Sequence, residues 1–321
     1  MREIEIGLNE QHQRIDKFLM KYMKLAPKSF IYKMLRKKNI KLNDKKAEGS
    51  EILKQGDNVK IFISDETINK FSGSVNIKKC GRDFAVIYED KNIIICGKPE
   101  GLIVHPDREH KTNTLNDQLL YYLYCKNEYD PKGAMGFVPS ICNRLDLNTS
   151  GIVTMGKNLA AVQELNRGFR ERLIDKYYLT VVKGVVEKEG IVEGYLVKNC
   201  ENNTVRLGNK DNGGDYIRTL YRPIKSKAGY SLLEVKLETG KSHQIRVCMK
   251  NIGYPIVGDR KYGDEEVNNF FDKKFGLKNQ FLHSHRIVMN FSGGCLDYIK
   301  GKEFVCDMDE KKEKIIEFLF K

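Results

Sequence analysis

The sequence predicts an α+β fold built on a mixed or antiparallel sheet. After residue 83, strand-like segments outnumber helical ones, and the two types follow each other to the end of the chain. Ahead of that point, two short amphipathic helices precede a pair of short strands. A chain of 321 residues is long enough for two folding units. We therefore expect a small α+β domain at 12–64, a linker at 65–80 and a larger domain at 81–321.

In the first domain, periodicity predicts two helices and two strands, in the order 13–22, 29–36, 39–44 and 59–63. Pro27 suits the start of the second helix. The last strand alternates Val59, Ile61 and Ile63 after a Gly-Asp-Asn turn. The segment 65–80 is polar and has no sustained period, which favours a linker.

In the second domain, the same signals predict strands at 84–88, 93–96, 176–183, 216–222, 231–238 and 282–291. They predict helices at 114–124, 158–173 and 311–320. A further helix is expected to begin near His243 and to carry Gln244 and Arg246. The abundance of strands over helices places this domain in the α+β class.

The positive charge is concentrated near the N-terminus. Residues 12–46 hold twelve Lys/Arg against two acids, a balance of +10, which leaves +3 of the total +13 for the rest of the chain. Such a basic segment is typical of nucleic-acid binding proteins. A solvated lysine-rich face is the alternative reading.

The composition also excludes some classes of protein. No run of 18 apolar residues is present, so we expect no transmembrane helix, and residues 1–5 do not resemble a signal peptide. The eight cysteines never form a Cys-x-x-Cys pair, which indicates a reducing cytoplasm and no zinc site. The alternating His283 and His285 lack a nearby cluster of further ligands, so we expect no metal there either.

The most informative stretch is 143–151, Asn-Arg-Leu-Asp-Leu-Asn-Thr-Ser-Gly, which places Arg144 and Asp146 among apolar neighbours. Charges at the edge of a core carry a desolvation cost unless they are paired. These nine residues alone favour a structural Arg–Asp pair, so further segments must decide. Three of them are His-Pro at 105–106, the aromatic strand at 176–179, and the Thr-Gly turn at 239–240 that leads into His243-Gln-Ile-Arg246.

The basic segment resembles the S4-like RNA-binding module through 14–19, 40–43 and 56–59. The resemblance implies that its basic side chains contact RNA phosphates, which gives affinity without reading sequence. The residues expected to do so are Arg14, Lys17, Lys28, Lys33, Arg36, Lys37 and Lys38.

The rest of the chain, roughly residues 80–300, resembles the RluA-type pseudouridine synthases. The family pattern His-Arg-Leu-Asp-x-x-Thr-Ser-Gly matches 143–151 except at Asn143, and Gly-Arg-x-His-Gln-Ile-Arg matches 240–246 except at Lys241. Gly-x-Pro-Ile-x-Gly-Asp matches 253–259, and Lys-x-Tyr matches 176–178. Cys248 stands where many members have His.

The resemblance implies an isomerase that converts specific uridines of structured RNA, with 23S ribosomal RNA expected, to pseudouridine without a cofactor. It makes Asp146 the catalytic carboxylate, either as nucleophile or as the base that removes a sugar proton. Arg246 would keep Asp146 ionised, since an opposite charge within about 4–6 Å lowers a carboxylate pKa. Tyr178 would stack on the target base and could take the carbon-5 proton, for which a pKa near 10 is unfavourable.

By the same resemblance, Arg144 would enter the RNA helix or hold the flipped backbone. Lys241 would contact RNA without the bidentate fork of Arg. His243 is expected to make a structural hydrogen bond. We expect a monomeric cytoplasmic protein with RNA as its partner. Two alternatives stay open: a transfer-RNA pseudouridine synthase, and a non-catalytic RNA-binding or ribosome-assembly protein.

Overall fold

The computed structural model describes residues 1–72, 77, 79–107, 112–131, 137–199, 204–208 and 214–321. The chain forms two compact units. The first comprises Met1–Arg82, Asn116–Ser140 and Gly156–Gln163, and the second comprises Asp83–Leu115, Ile141–Met155 and Glu164–Lys321. A compact unit in space is not the same as a segment that folds alone, so the expected domain division stays a prediction.

The N-terminal part of the first unit has the two predicted helices, the two predicted strands and two further strands, Arg2–Glu5 and Lys45–Lys46. Its elements are β1 (Arg2–Glu5), α1 (Ile15–Tyr22), α2 (Lys28–Arg36), β2 (Ile40–Leu42), β3 (Lys45–Lys46) and β4 (Asn58–Ile61). The antiparallel sheet has the order β1-β4-β2-β3. The helices bury the apolar stripe that predicted them, with Ile15, Phe18 and Leu19 fully inaccessible.

The segment expected to be a linker begins with a helix, α3 (Asp65–Ser72). Ile68 is fully buried in the hydrophobic cluster of this unit, and the ring of Phe71 lies 4.7 Å from that of Phe30. Two apolar residues three positions apart, after the acidic first turn of Asp65 and Glu66, are enough to dock a short helix. The polar composition of 65–80 concealed this signal.

Residues 85–320 contribute one large sheet. Its strands are β5 (Ala85–Glu89), β6 (Ile93–Lys98), β7 (Ser140–Ile141), β8 (Ser150–Gly156), β9 (Ile174–Lys183), β10 (Gly190–Asn199), β11 (Thr204–Gly208), β12 (Asp215–Lys227), β13 (Tyr230–Leu237), β14 (Leu282–Met289) and β15 (Glu303–Val305). The order is β11-β10-β12-β13-β9-β14-β8-β6-β5, with β15 on β14 and β7 on β8. The pair β14–β8 is parallel, whereas β9 pairs antiparallel with both β13 and β14. The sheet is therefore mixed, and the predicted α+β class is confirmed.

The helices that follow are α4 (Leu115–Cys125), α5 (Leu159–Arg170), α6 (Gln244–Asn251), α7 (Glu265–Phe275) and α8 (Glu310–Phe320). The sequence did not predict α7, although both of its ends are marked: the Asp264 carboxylate accepts the Val267 N–H, and Gly276 takes the left-handed conformation. The strands β10 and β11 were also missed. None of the helices that the structure describes is long and apolar enough to cross a membrane.

Candidate active site

Asp146 lies in the loop between β7 and β8, in the second unit. The loop is held close to β14, because the Ser150 hydroxyl lies 2.8 Å from Nδ1 of His283. Gly151, with φ +114°, packs directly on the backbone of Ser284, where a Cβ would stand 2.2 Å from the Ser284 carbonyl oxygen. The Thr-Ser-Gly of the motif is therefore what allows the loop to reach the neighbouring parallel strand.

A buried lysine at the end of β6 supports the same loop. Nζ of Lys98 donates to the carbonyl oxygens of Pro99, Leu102 and Leu147 at 2.7–3.0 Å. Burial lowers the pKa of Lys98 to about 7, while the nearby Asp146 carboxylate acts in the opposite direction. The carbonyl of Leu147 is adjacent to Asp146, so Lys98 fixes the backbone that presents the carboxylate.

The counter-charge comes from α6. Arg246 is buried and donates from Nε and Nη2 to the two carboxylate oxygens of Asp259, both at 2.7 Å. Burial opposes ionisation of Asp259, but Arg246 and the backbone N–H groups of Lys261 and Tyr262 outweigh it and hold its pKa below the ordinary value. The pKa of Arg246 is raised by the same pair, although burial alone would lower it.

Because Asp259 binds Nε and Nη2 of Arg246, the third nitrogen, Nη1, can face Asp146. Nη1 lies 3.6 Å from Oδ2 of the Asp146 carboxylate. Nε2 of His243 lies 3.9 Å from the same oxygen. Asp146 keeps 31% of its side chain exposed, against 8% for Arg246. The Asp146 carboxylate is thus open to solvent on one side and faces a rigidly held guanidinium on the other.

His243 has the structural hydrogen bond expected of it. Its Nδ1 lies 2.9 Å from the Tyr262 hydroxyl, which also accepts the Val205 N–H. Burial lowers the pKa of His243, and the Asp146 carboxylate opposes that effect. The residue precedes α6 with φ 57°, so the helix begins at Gln244.

Tyr178 stands on β9, paired with Ser284 of β14 and Val235 of β13. It is 7% exposed, and burial raises the pKa of its phenol to about 12. The Ser284 hydrogen bond and the Asp146 charge also act on this phenol, which places Tyr178 in the electrostatic environment of Asp146. The three predicted residues Asp146, Tyr178 and Arg246 are therefore brought together.

The three residues that depart from the family pattern, Asn143, Lys241 and Cys248, each contact other residues of the protein. Oδ1 of Asn143 accepts the backbone N–H and the hydroxyl of Thr154, so the turn has its hydrogen bonds. Lys241 pairs with Asp215 at 2.8 Å. Cys248 is buried, and its Sγ lies 3.5 Å from the Thr219 hydroxyl. It forms no hydrogen bond to Asp146 or Arg246 in the described structure.

The predicted RNA-contacting residues divide into two groups. Arg144 and five cations on or after α2 are exposed and form no ion pair with any described residue; the five are Lys28, Lys33, Arg36, Lys37 and Lys38. Lys17 is exposed on α1. Arg14, by contrast, is held in a bidentate pair by Asp16, at 2.9 and 3.1 Å.

No cluster of metal ligands occurs in the described ranges, and His283 has another role. Its Nε2–H donates to the Cys306 carbonyl at 2.9 Å, which leaves Nδ1 to accept the Ser150 hydroxyl. Burial lowers the pKa of His283 to about 4. Sequence reasoning missed the roles of Lys98, Asp259 and His283, although Asp259 ends one of the matched motifs.

Two family models match the chain. The model described as RNA pseudouridylate synthase matches residues 92–251, and the S4 domain model matches residues 13–59. Human RNA Pseudouridylate Synthase Domain Containing 4 shares the fold, with a TM-score of 0.57 over 72% of this chain and 91% of that one, at 21% identity. The fold and the site therefore define an RNA-modifying enzyme with an added RNA-binding domain.

Curated relatives cover most of the chain. An uncharacterised RNA pseudouridine synthase of Mycoplasma pneumoniae is 31% identical over 85% of this chain and 84% of its own length. Ribosomal large subunit pseudouridine synthase D of Borreliella burgdorferi is 31% identical over 89% and 85%. The chain belongs to the RluA-type RNA pseudouridine synthases, and it is an RNA isomerase that carries an S4 domain.

Proposed function

We propose that this enzyme converts specific uridines of 23S ribosomal RNA to pseudouridine, with Asp146 as the reacting carboxylate and without a cofactor. The ribosomal substrate is supported by the names of relatives, among them the large-subunit enzymes of Borreliella burgdorferi and Vibrio cholerae. The exposed cations of α2 fit a structured, highly charged RNA. We further propose a cytoplasmic enzyme that acts as a monomer.

The reaction balances within the substrate. The bond from the ribose C1′ to the base nitrogen N1 breaks, C1′ joins C5 of the same base, and a proton leaves C5 while N1 gains one. No electron acceptor and no water molecule are consumed. The enzyme must therefore flip the uridine, hold the detached base and move protons. An ionised carboxylate serves either form of the first step, attack on the nucleoside or removal of a sugar proton.

The observation that carries the proposal is the setting of Asp146 against Arg246. Nη1 of Arg246 lies 3.6 Å from the carboxylate, while Asp259 holds the other side of the same guanidinium. A buried charge that is already paired cannot swing away, so Asp146 faces a fixed positive charge throughout the reaction. Tyr178, whose phenol feels the charge of this carboxylate, supplies the aromatic ring on which the detached base would stack.

The direct test is tritium release from ribosomal RNA transcripts labelled at carbon 5 of uridine. Asp146→Asn should lose at least about 10⁴-fold in rate, because the amide can neither attack nor accept a proton. Its RNA affinity should stay within about twofold, since one neutralised group makes few RNA contacts.

Asp272→Asn is the matched control, because that carboxylate pairs with Arg260 at the surface. It should keep wild-type activity. Turnover by Asp146→Asn would disprove the catalytic assignment. Wild-type release from transfer RNA alone would correct the substrate, and release from no RNA would favour a non-catalytic RNA-binding protein.

A further inference from the structure

A small cavity lies beside β9, the strand of the second unit that carries Tyr178. Its volume is about 240 Å³, and its polar lining comes from Arg172, Asp175, Lys176, Lys236 and Glu238. It lies where α5 ends and β9 begins, against the end of β13. The residues that line it include three cations and two carboxylates.

The carboxylates of this cavity are already occupied. Asp175 pairs with Lys236 at 2.8 Å and accepts the Asn290 amide at 3.2 Å. Glu238 pairs with Arg218 at 3.4 Å.

Arg172 and Lys176 have no such partner among the residues that the structure describes. Across the described ranges neither forms an ion pair or a side-chain hydrogen bond. Burial lowers the pKa of Lys176, and the adjacent Arg172 lowers it further. The charge of Asp175 opposes this lowering, but that carboxylate is already paired with Lys236. Two neighbouring cations that pair with no described anion are set to receive one.

The backbone of Arg172 is unusual for a cation at this position. With φ 61° it takes the left-handed conformation at the end of α5, while Leu173 N–H donates to the Gly168 carbonyl at 2.8 Å. Helix ends of this type ordinarily carry Gly or Asn, which adopt that conformation at little cost. An arginine here places a guanidinium at the cavity at the expense of a favourable backbone.

The cavity is close to the reacting residues. Lys176 and Tyr178 are two residues apart on β9 and point to the same face, about 7 Å from each other along the strand. Gly240 lies beside Lys176, where a Cβ would stand 3.5 Å from Nζ. Gly240 begins the segment that leads to His243, whose Nε2 is 3.9 Å from Asp146. An anion held at the cavity would therefore neighbour the site of isomerisation.

We propose that Arg172 and Lys176 form a phosphate subsite, which holds a phosphodiester of the RNA next to the uridine being isomerised. The inference rests on the proposed function, since it takes RNA as the substrate. A guanidinium and an ammonium side by side suit a phosphodiester, one as a planar fork and the other as a point charge. Such a contact fixes the register of the backbone and is independent of base sequence.

The test compares Arg172→Gln and Lys176→Gln with two matched controls. Arg170→Gln removes a cation two residues from Arg172 that pairs with Glu171, and Lys183→Gln removes one at the other end of β9 that pairs with Asp264. RNA affinity is measured over a series of salt concentrations, and KM and kcat are measured by tritium release. Thermal melts of all variants check that folding is intact.

Each subsite variant should weaken RNA binding by about tenfold and reduce the slope of log affinity against log salt by about 1, with kcat nearly unchanged. Lys176→Arg should restore most of the affinity, which a loss of folding would not allow. The controls should match wild type in KM and in salt slope.

An unchanged KM and slope in both variants of an active enzyme would overturn the subsite. A second pair of results would also overturn it: inorganic phosphate binds the cavity in a titration, and the variants keep the wild-type RNA salt slope. The occupant would then be a free anion. If wild type isomerises no RNA, the proposed function fails, while the salt slopes still decide whether these two residues contact phosphate.

Discussion

The charges of the candidate active site and those of α2 are arranged in opposite ways. Arg246 is 8% exposed and bound on two nitrogens by Asp259, whereas Lys33, Arg36 and Lys37 are exposed and form no ion pair with any described residue. The first arrangement fixes one charge at one position, which chemistry at a single atom requires. The second leaves mobile charges in water, which suits sequence-independent attraction to phosphates.

The same comparison explains what each region contributes to stability. A buried pair is costly to form and costlier to break, because removal of one partner leaves an uncompensated charge. Exposed lysines can be lost at little cost to folding. Substitutions in the two regions should therefore separate stability and catalysis from RNA affinity.

The largest effect is expected at Asp259, whose side chain is fully buried. Asp259→Asn should destabilise the protein by about 3–5 kcal/mol and lower kcat by at least about 100-fold, because Arg246 loses its partner and its position. Urea denaturation and tritium release measure the two effects. Asp272→Asn, at a surface pair, should cost under about 1 kcal/mol.

The double variant Arg246→Met, Asp259→Leu sharpens this test. An apolar pair of similar volume should recover most of the stability while activity stays lost. Recovery of activity together with stability would show that Arg246 serves folding alone, and that the fixed charge is not needed for catalysis.

A second large effect is expected from pH through His283. Its pKa is lowered to about 4 by burial, against 6.5 when unperturbed. Between these values the unfolded chain binds a proton that the folded chain does not, so stability falls as pH drops from 6.5 to 4, by roughly 3 kcal/mol in total. Denaturation across this range should show the loss in wild type and a flatter dependence in His283→Gln. An equal slope in both proteins would contradict the assignment.

A smaller effect, confined to RNA affinity, is expected on α2. The triple variant Lys33→Gln, Arg36→Gln, Lys37→Gln should bind RNA about 10–100-fold more weakly at low salt and lower the salt slope by about 2–3. Its kcat should be unchanged. The control is a triple variant that replaces Lys273 of α7, Lys314 of α8 and Lys321, the residue after α8, with Gln. A control that weakens binding equally would mean that overall charge, and not this helix, attracts the RNA.

The smallest difference is expected at Tyr178. Because its pKa is raised to about 12, the phenol stays protonated over the working range of the enzyme. The rates of wild type and Tyr178→Phe should therefore depend on pH in the same way between about pH 6 and 10, even where the two rates differ in magnitude. An alkaline limb below pH 10 that is present only in wild type would show that the phenol titrates as a base.

The candidate site could be predicted where its residues lie in contiguous motifs. Asp146, Tyr178 and Arg246 each stand in a short pattern, and the structure brings all three together. The supporting residues act across long sequence separations, as when Lys98 reaches Leu147 and His283 reaches Ser150. No local period reports such contacts, because they depend on which strands become neighbours in the sheet.

In the fold, too, some elements could be predicted from local sequence patterns and others could not. The amphipathic α1 and α2 were predicted within a few residues because their apolar stripes are clear. The short α3 was concealed in a polar segment, and α7 was missed although its caps are marked by Asp264 and Gly276. In both cases, packing of a few apolar side chains decided the structure, two on α3 and three on α7, and composition did not.

We propose that this enzyme isomerises uridines of ribosomal RNA through the carboxylate of Asp146. The most direct measurement maps pseudouridine in total RNA from cells that lack this gene, with wild type or Asp146→Asn supplied in return. We expect that pseudouridine disappears at discrete 23S positions and returns with wild type but not with Asp146→Asn. Full restoration by Asp146→Asn would contradict it.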